Sequence, residues 1–231
     1  MPGRIFAESK EDISKELRHV FGIVNFSVAE QAESYEELKT LLSNLLAKKD
    51  FKTFRITASR IDKSFPKTSE EIAREMGAFV AESMKKKVDL ENFDLNIQIE
   101  IAGKPYVFFE KISCFGGLPV GVEGKVLCFL ENYDGIAAAF LVMKRGCDIM
   151  CASIKDFDIS KLSLFSPDKI NFFKINSFEE LEAIARNENA KAIVVGDRLE
   201  NIKDYKTRVF VMRPLIGMEE NEIKGILEKI S

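Results

Sequence analysis

The stretch that decides the fold is KVLCFLENYDGIAAAFLVMKRGCDIMCASI, which runs from Lys125 to Ile154. Its first apolar run, 126–130, predicts a strand. The Ala- and Leu-rich segment Ile136 to Arg145 predicts a helix that ends at Gly146. A second apolar run, 148–154, predicts another strand. Strand, helix and strand at this spacing indicate a βαβ unit and therefore a parallel sheet.

The loop between the first strand and the helix is the usual ligand site of such a sheet, because the helix points its free amides there. A phosphate at this position favours glycines, hydroxyls and a lysine. The residues present are Glu131, Asn132, Tyr133, Asp134 and Gly135. Two carboxylates beside a phosphate would repel it. The sequence therefore predicts the scaffold of a nucleotide site without its chemistry.

Alternating strands and helices continue after this unit and predict a small doubly wound sheet. The predicted elements are a strand at 169–175, a helix from Ser177 to Asn187, strands at 192–195 and 209–212, and a helix from about Glu219 to Ile230.

The chain before this unit predicts a short βαβ and then a mixed α/β domain. The first has strands Arg4–Ala7 and Ile23–Glu30 around a helix Asp12–Phe21. The second has helix Ser34–Lys48, strand Phe51–Ser59, a basic loop, a helix from Thr68 to about Lys87, and a hairpin of 95–101 with 105–113. Capping boxes are predicted for Ser34 with Glu37, Thr68 with Glu71, and Ser177 with Glu180.

Composition predicts a globular protein of one large or two ordinary domains, with 231 residues, 46% of them hydrophobic and 31% charged. No apolar run reaches the length of a membrane span and no signal-peptide pattern opens the chain, so we expect a cytoplasmic protein without a membrane partner. The four cysteines lack CxxC spacing. Buried thiols are favoured over metal ligands or disulfides, and we predict no metal site.

Charge is unevenly distributed along the chain. The net charge is −3, yet the segment from Lys48 to Lys87 holds eight Lys and three Arg against six acidic residues. Such a segment is either a solvated face or an electrostatic contact for nucleic acid.

Three stretches resemble one family when they are read together. FRITASRIDKSFPKTSEEIAREMGAFVAE, residues 54–82, is similar to the THUMP domain, an RNA-binding module of tRNA-modifying enzymes. GGLPVGVEGKVLCFL with FLVMKRG resembles the junction between THUMP and the ATP-pyrophosphatase (PP-loop) domain of the tRNA 4-thiouridine synthetases, also called thiamine-biosynthesis sulfurtransferases. AIVVGDRLENI with VMRPLIGMEENEI resembles the later part of that second domain.

The resemblance implies an α/β protein with two domains and a partial start. We expect a partial ferredoxin-like segment at 1–32, a mixed α/β THUMP domain at 33–115, a linker at 116–124, and a degenerate, doubly wound PP-loop-like domain at 125–231. Family members bind tRNA with the THUMP domain. The loop positions that match the family, and to which the resemblance assigns RNA binding, are Arg60, Lys63, Ser64, Phe65, Pro66, Lys67 and Ser69. Arg55 lies on the adjacent predicted strand, and we expect it to extend this RNA-binding patch. The predicted helix start at Thr68 would offer free amides to a further phosphate.

The second domain departs from the family pattern. Where the family has SGGxDS, this chain has ENYDG and is one residue shorter. The positions that match the nucleotide pocket are vestigial and comprise Phe129, Leu130, Asp134, Gly135 and Gly196. We also expect the helical insertion before AIVVGD, the opening of the ferredoxin-like domain and the sulfur-carrying cysteine of the family to be missing.

These observations leave three hypotheses open. The first is a tRNA-binding relative of the synthetases that lacks catalytic residues, needs no cofactor and does not transfer sulfur by itself. The alternative is an ATP- and Mg-binding, adenylating component that needs a partner for sulfur transfer. A third is an interaction module without RNA. The sequence leaves enzyme status open, and it does not decide between a homodimer and a catalytic protein partner.

Overall fold

The computed structural model describes residues 4–230, which contain seven α-helices, one 3₁₀ helix and twelve strands. The helices are α1 Ser14–Arg18, α2 Leu38–Leu46, α3 Ser69–Met84, α4 Tyr133–Lys144, α5 Ser160–Ser163, α6 Glu180–Asn187 and α7 Glu220–Lys229, with the 3₁₀ turn at Leu199–Asn201. The strands are β1 Asn25–Phe26, β2 Glu30–Gln31, β3 Thr53–Arg60, β4 Lys87–Val88, β5 Leu95–Ala102, β6 Lys104–Phe108, β7 Ile112–Ser113, β8 Gly124–Phe129, β9 Cys147–Ser153, β10 Phe172–Lys174, β11 Ile193–Val194 and β12 Val211–Met212.

The chain forms two compact units. One contains the described residues up to Asn25 together with the chain from Ser113 onward, and the other spans Phe26–Ile112. We call them the parallel-sheet unit and the THUMP-like unit, and each is described by itself.

The parallel-sheet unit holds five parallel strands in the order β10-β9-β8-β11-β12. Successive residues of β8 enter different cores, because side chains alternate across a strand. Val126 and Cys128 pack on the side of α4, whereas Leu127 and Phe129 pack on the side of α6. The predicted doubly wound sheet is confirmed.

The THUMP-like unit has a mixed sheet in the order β2-β6-β5-β3-β4 with α2 and α3 over one face. β5 and β6 form the predicted antiparallel hairpin, while β3 pairs with β5 in parallel. α3 begins with the predicted capping box, in which Thr68 and Glu71 bond each other's backbone amides. The box predicted at Ser34 is half formed, since Ser34 Oγ accepts the Glu37 amide at 3.4 Å while Glu37 is itself the N-cap of α2. The box predicted at Ser177 is wrong, because α6 begins later and its N-cap is Glu179.

The start of the chain departs from the predicted βαβ unit. Residues 4–7 form no strand, and Ile5 is 93% exposed, so the apolar alternation there buries nothing. The strand predicted at Ile23–Glu30 is reduced to the two-residue β1 and the start of β2. Phe21 nevertheless anchors this region, since its ring packs within 5.2 to 6.2 Å of Phe115, Phe140 and Phe165.

The glycine-rich segment 116–124 is fixed against the end of α4. Leu118 N–H donates to the Lys144 carbonyl at 3.0 Å, and Gly121 N–H donates to Gly146 at 2.9 Å. Gly117 has a φ of +85°, and a Cβ atom on it would lie 2.2 Å from the Lys144 carbonyl oxygen. Only glycine fits this approach.

Two glycine substitutions distinguish the energetic cost of a steric clash at Cβ from the cost of a positive φ. Gly121 also has a positive φ, but a Cβ atom there would meet nothing within 4 Å. We expect Gly121→Ala to cost about 1 kcal/mol from the backbone term. We expect Gly117→Ala to cost about 3 kcal/mol or more, because a backbone oxygen must also move. Urea denaturation followed by circular dichroism measures both, and equal costs would contradict the packing described for Gly117.

Candidate functional site

The predicted RNA-binding loop is organised by Arg60. Its Nη1 atom donates to the carbonyl of Phe65 at 2.8 Å and to that of Lys67 at 3.4 Å. The guanidinium therefore holds the loop closed on itself. These bonds use part of the hydrogen-bonding capacity of the guanidinium, so Arg60 stabilises the loop and has fewer N–H groups free for RNA.

Lys67 forms an ion pair with Glu75 on α3. The two side chains form an ion pair, and Glu75 also accepts from Tyr35 Oη at 2.9 Å and lies 3.2 Å from Lys39 Nζ. The hydrogen bond from Lys67 is the main cause that lowers the pKa of Glu75 to about 2. Glu75 is shared by two lysines, so this cluster keeps one net positive charge, but the Lys67 ammonium is held at Glu75.

The rest of the loop exposes one cation. Lys63 is exposed at the tip, next to Ser64, whose hydroxyl donates to Asp62 at 2.6 Å. Phe65 is half-buried, with its ring centroid 5.3 Å from that of Tyr35. Ser69 is the first residue of α3. Lys63 is thus the outward-facing charge among the predicted loop residues.

The start of α3 is already occupied by a carboxylate. Glu71 accepts the Thr68 amide at 2.7 Å, and the bonds from Thr68 lower the pKa of Glu71. Glu70 adds a second acidic side chain in the first turn. The capping box thus satisfies the amides of Thr68 and Glu71, and the acidic side chains of this first turn disfavour a phosphate at the remaining amides.

Arg55 does not join this loop. Arg55 and Arg60 are five positions apart on β3, an odd number, so their side chains leave the strand on opposite faces. Arg55 lies over the Phe93 ring at 4.1 Å and donates to the Leu90 carbonyl at 3.5 Å. The structure gathers the other predicted residues and places Arg55 elsewhere.

The predicted nucleotide loop is short and is capped by its own side chain. Three residues, 130–132, connect β8 to α4. Asn132 is the N-cap, and its side chain accepts the amides of Asp134 at 2.9 Å and Gly135 at 3.4 Å. These are the amides that would bind phosphate, and they are already satisfied.

The glycines of this region serve close packing. A Cβ atom on Gly196 would lie 2.5 Å from the backbone nitrogen of Gly135, and one on Gly135 would lie 2.9 Å from the Phe129 carbonyl oxygen. The chain after β11 therefore packs directly on the first turn of α4. Phe129 and Leu130 are buried in the cores of the sheet.

Asp134 is held by a bidentate ion pair. Arg198 Nε and Nη2 donate to its two carboxylate oxygens at 2.7 and 2.6 Å, and the same guanidinium pairs with Glu220. Glu131 pairs with Lys203. The two carboxylates that made the loop look unsuited to phosphate are thus paired within the chain.

Asp197 lies close by and is 4% exposed. It accepts from Tyr205 Oη at 2.7 Å, from the Lys203 amide at 3.0 Å and from Arg213 Nε at 3.2 Å. The sequence analysis missed Arg198, Lys203 and Arg213. Arg198 and Lys203 follow β11 and Arg213 follows β12, and the rule that carboxyl ends of parallel strands meet at one edge could have found them.

A cavity of about 480 Å³ lies at this edge and is lined by charged side chains. Asp134, Glu200, Glu219 and Glu220 contribute four carboxylates, and Arg198 contributes the balancing cation. ATP carries several negative charges, so this lining repels it. With the helix amides also capped, the residues present are a poor fit for ATP. Within residues 4–230 there is no cluster of three or more His, Cys, Asp or Glu that could hold a metal ion.

The four cysteines are all free thiols with raised pKa values. Burial raises the pKa of Cys151 to about 12 and that of Cys128 well above its usual value, and it also raises those of Cys114 and Cys147. A thiol attacks as its thiolate. These cysteines are therefore poor nucleophiles at neutral pH.

The two units, a mixed THUMP-like sheet and a doubly wound parallel sheet, define an α/β protein of two units, and comparisons with known proteins agree with this architecture. A family described as the THUMP domain matches residues 32–108. A protein named "Probable tRNA sulfurtransferase" from Alkaliphilus oremlandii is 30% identical over an alignment that covers 95% of this chain and 70% of that protein. The chain therefore belongs to the family of these probable tRNA sulfurtransferases.

Solved structures share the fold. The crystal structure of PH1313 from Pyrococcus horikoshii is 32% identical with a TM-score of 0.81, over 94% of this chain and 79% of that one. A 4-thiouridine synthetase crystallised with RNA and bound ATP is 23% identical with a TM-score of 0.78, over 97% of this chain and 73% of that one. The alignment with the Alkaliphilus relative spans 273 positions, more than the 231 residues of this chain, so that relative carries segments without a counterpart here. No helix in the described part of the chain is long and apolar enough to cross a membrane.

The Glu75 cluster predicts a pH-dependent contribution to stability. Because the folded-state pKa is about 2 against a usual 4.5, the ion pairs stabilise the fold above pH 4.5 and lose this effect as the pH falls towards 2. We expect Glu75→Gln to lower stability at pH 7 by about 1 kcal/mol and to flatten the acid limb. Glu70→Gln is the control, since Glu70 pairs with Arg74 on the surface. The free energy of unfolding of both variants is measured as the pH is lowered. Equal profiles of stability against pH would contradict the assignment of this pH dependence to Glu75.

Proposed function

We propose that this chain binds tRNA through its THUMP-like unit and does not activate tRNA with ATP by itself. The observation that carries the proposal is the state of the nucleotide loop, where Asn132 satisfies the helix amides and four carboxylates line the adjacent cavity. Family membership and the match to a THUMP domain support the RNA-binding half.

The groups that are present support the proposal that this chain does not carry out ATP-dependent chemistry by itself. Stabilising a leaving pyrophosphate requires positive or amide groups at the loop, and here the amides are capped and the cation Arg198 is held by Asp134 and Glu220. Burial raises the pKa values of the four thiols and so disfavours the thiolate that a sulfur-carrying nucleophile requires. The ENYDG loop is in this proposal a degenerate PP-loop that serves as scaffold.

We expect such a protein to act in the cytoplasm, where tRNA is modified. Sulfur transfer, where it occurs, would be supplied by a catalytic protein partner. A homodimer is compatible with the same account.

The alternative function is an ATP-binding, adenylating component with Mg. It is favoured by the presence of Asp134 at the position of the family aspartate. It requires the Asp134–Arg198 pair to open and the Asn132 cap to leave the amides.

The first prediction concerns tRNA. A filter-retention titration with an unmodified tRNA transcript should show binding that weakens steeply between 50 and 200 mM salt, because phosphate contacts release counterions. Lys63→Gln should lower the slope of log K against log salt by about 0.7 to 0.9, which is one phosphate contact. The matched control is Lys206→Gln, an exposed lysine of the parallel-sheet unit. Absence of tRNA binding at low salt would overturn the proposal.

The second prediction concerns ATP. Calorimetric titration of the protein with ATP and magnesium should give no saturable heat at millimolar concentrations, because the loop amides and Arg198 are already paired. Asn132→Gly frees the helix amides and is the informative variant. Saturable binding by the unaltered protein would favour the adenylating alternative.

A further inference from the structure

Six lysines meet at one end of the THUMP-like unit, away from the predicted loop. α2 ends at Leu46 and leads through Lys48 and Lys49 to Lys52 at the start of β3, while α3 ends at Met84 and leads through Lys85 and Lys86 to Lys87 in β4. The two strand starts are adjacent, since Lys87 N–H donates to the Lys52 carbonyl at 3.2 Å and Lys87 pairs with Thr53. We call Lys48, Lys49, Lys52, Lys85, Lys86 and Lys87 the lysine end.

None of these lysines forms an ion pair within residues 4–230. All are exposed except Lys86, which is half-buried. The ammonium of Lys49 lies 4.2 Å from the Phe109 ring centroid, and that of Lys86 lies 5.0 Å from the Phe51 centroid. These aromatic rings hold two of the charges in place at the surface without neutralising them.

The acidic groups near the lysine end, which also include the exposed Glu91 and Glu110, form no ion pair with its lysines among the described residues. Asp50 and Glu82 are exposed and flank it along the chain. Asp94 accepts the amides of Lys52 at 2.8 Å and Thr53 at 2.9 Å. Asp89, two residues beyond Lys87, accepts the amides of its own loop at Glu91 and Asn92.

Helix dipoles account for only part of this charge. Lysines are favoured at helix C-termini, and each terminus carries about half a negative charge. Two termini therefore offset about one lysine. Six lysines are therefore more than the two helix ends require, and none of the six is held in an ion pair among the described residues.

The predicted loop has fewer free cations than the lysine end. Arg60 keeps its charge but is partly buried with its guanidinium bonded to loop carbonyls, and Lys67 is paired with Glu75, which leaves Lys63 as the exposed lysine without an ion pair among the described residues. α3 has 16 residues and so separates the two sites by about 24 Å. Its exposed face between them carries Glu70, Glu71 and Glu82, which repel phosphate.

We propose that the lysine end is the main phosphate-contacting surface of this chain for RNA. The inference rests on the proposed tRNA binding and specifies its surface. The ligand chemistry is the sugar–phosphate backbone of structured RNA, contacted by ammonium groups that position the RNA without reading its sequence. Lysines, as point charges on flexible stems, suit such contacts.

The test replaces Lys48, Lys52 and Lys87 by glutamine together, because none of the three packs on an aromatic ring. Titration with the unmodified tRNA transcript between 50 and 200 mM salt should show affinity lowered about tenfold or more at the low-salt end. The slope of log K against log salt should fall by about 2 to 3, which corresponds to three phosphates. The matched control replaces Lys155, Lys169 and Lys206 by glutamine, three exposed lysines of the parallel-sheet unit with the same change in net charge.

The outcomes are distinguishable. Reduced affinity and slope in the first triple variant alone, with an unchanged thermal midpoint, supports the lysine end. Equal effects of both triple variants mean that only net charge matters and overturn it, while tRNA binding stands. Unchanged binding by the first triple variant also overturns it. If the unaltered protein binds no tRNA at low salt, the proposed function and this inference fail together.

Discussion

The functional account depends on the Asp134–Arg198 ion pair, which lies at the start of α4, where the Asn132 side chain caps the helix amides. In a doubly wound sheet the first turn after a central strand is the place where a phosphate is bound. Here Asn132 satisfies the amides of that turn, and Arg198 holds the adjacent carboxylate with both ends of its guanidinium fork. A charge network thus occupies the edge of the sheet at which nucleotide chemistry takes place in such folds.

The THUMP-like unit differs in that its nearly balanced charges are unevenly distributed, with a basic segment from Lys48 to Lys87. This segment contributes to two surfaces. In the predicted loop, Arg60 is hydrogen-bonded to loop carbonyls and Lys67 is paired with Glu75. At the lysine end, six lysines remain without ion pairs among the described residues. A cation without an internal partner keeps its charge available for a phosphate. On the proposed function, the THUMP-like unit binds RNA, and the parallel-sheet unit keeps its sheet while its phosphate loop is closed by internal bonds.

The fold was largely predictable from the sequence because its signals are local. The alternation of Leu95 to Ile101, the Thr68–Glu71 box and the apolar runs around α4 each specify one element, and the structure has these elements. The first residues were not predictable in this way. The apolar pattern of Arg4–Ala7 suggests a strand, but a strand depends on pairing elsewhere in the sheet, which local pattern does not encode.

The candidate site was predictable only in part, for a physical reason. Residue type identifies Arg60 and Lys67 as cations, but their hydrogen bonds to loop carbonyls and to Glu75 decide how much charge they present. The opposite-face position of Arg55 follows from strand alternation and could have been anticipated. The most direct measurement of the central claim is the tRNA affinity across a salt series with and without millimolar ATP and magnesium. The account predicts one steep curve that ATP does not move. A curve shifted by ATP, or the absence of tRNA binding at low salt, would contradict it.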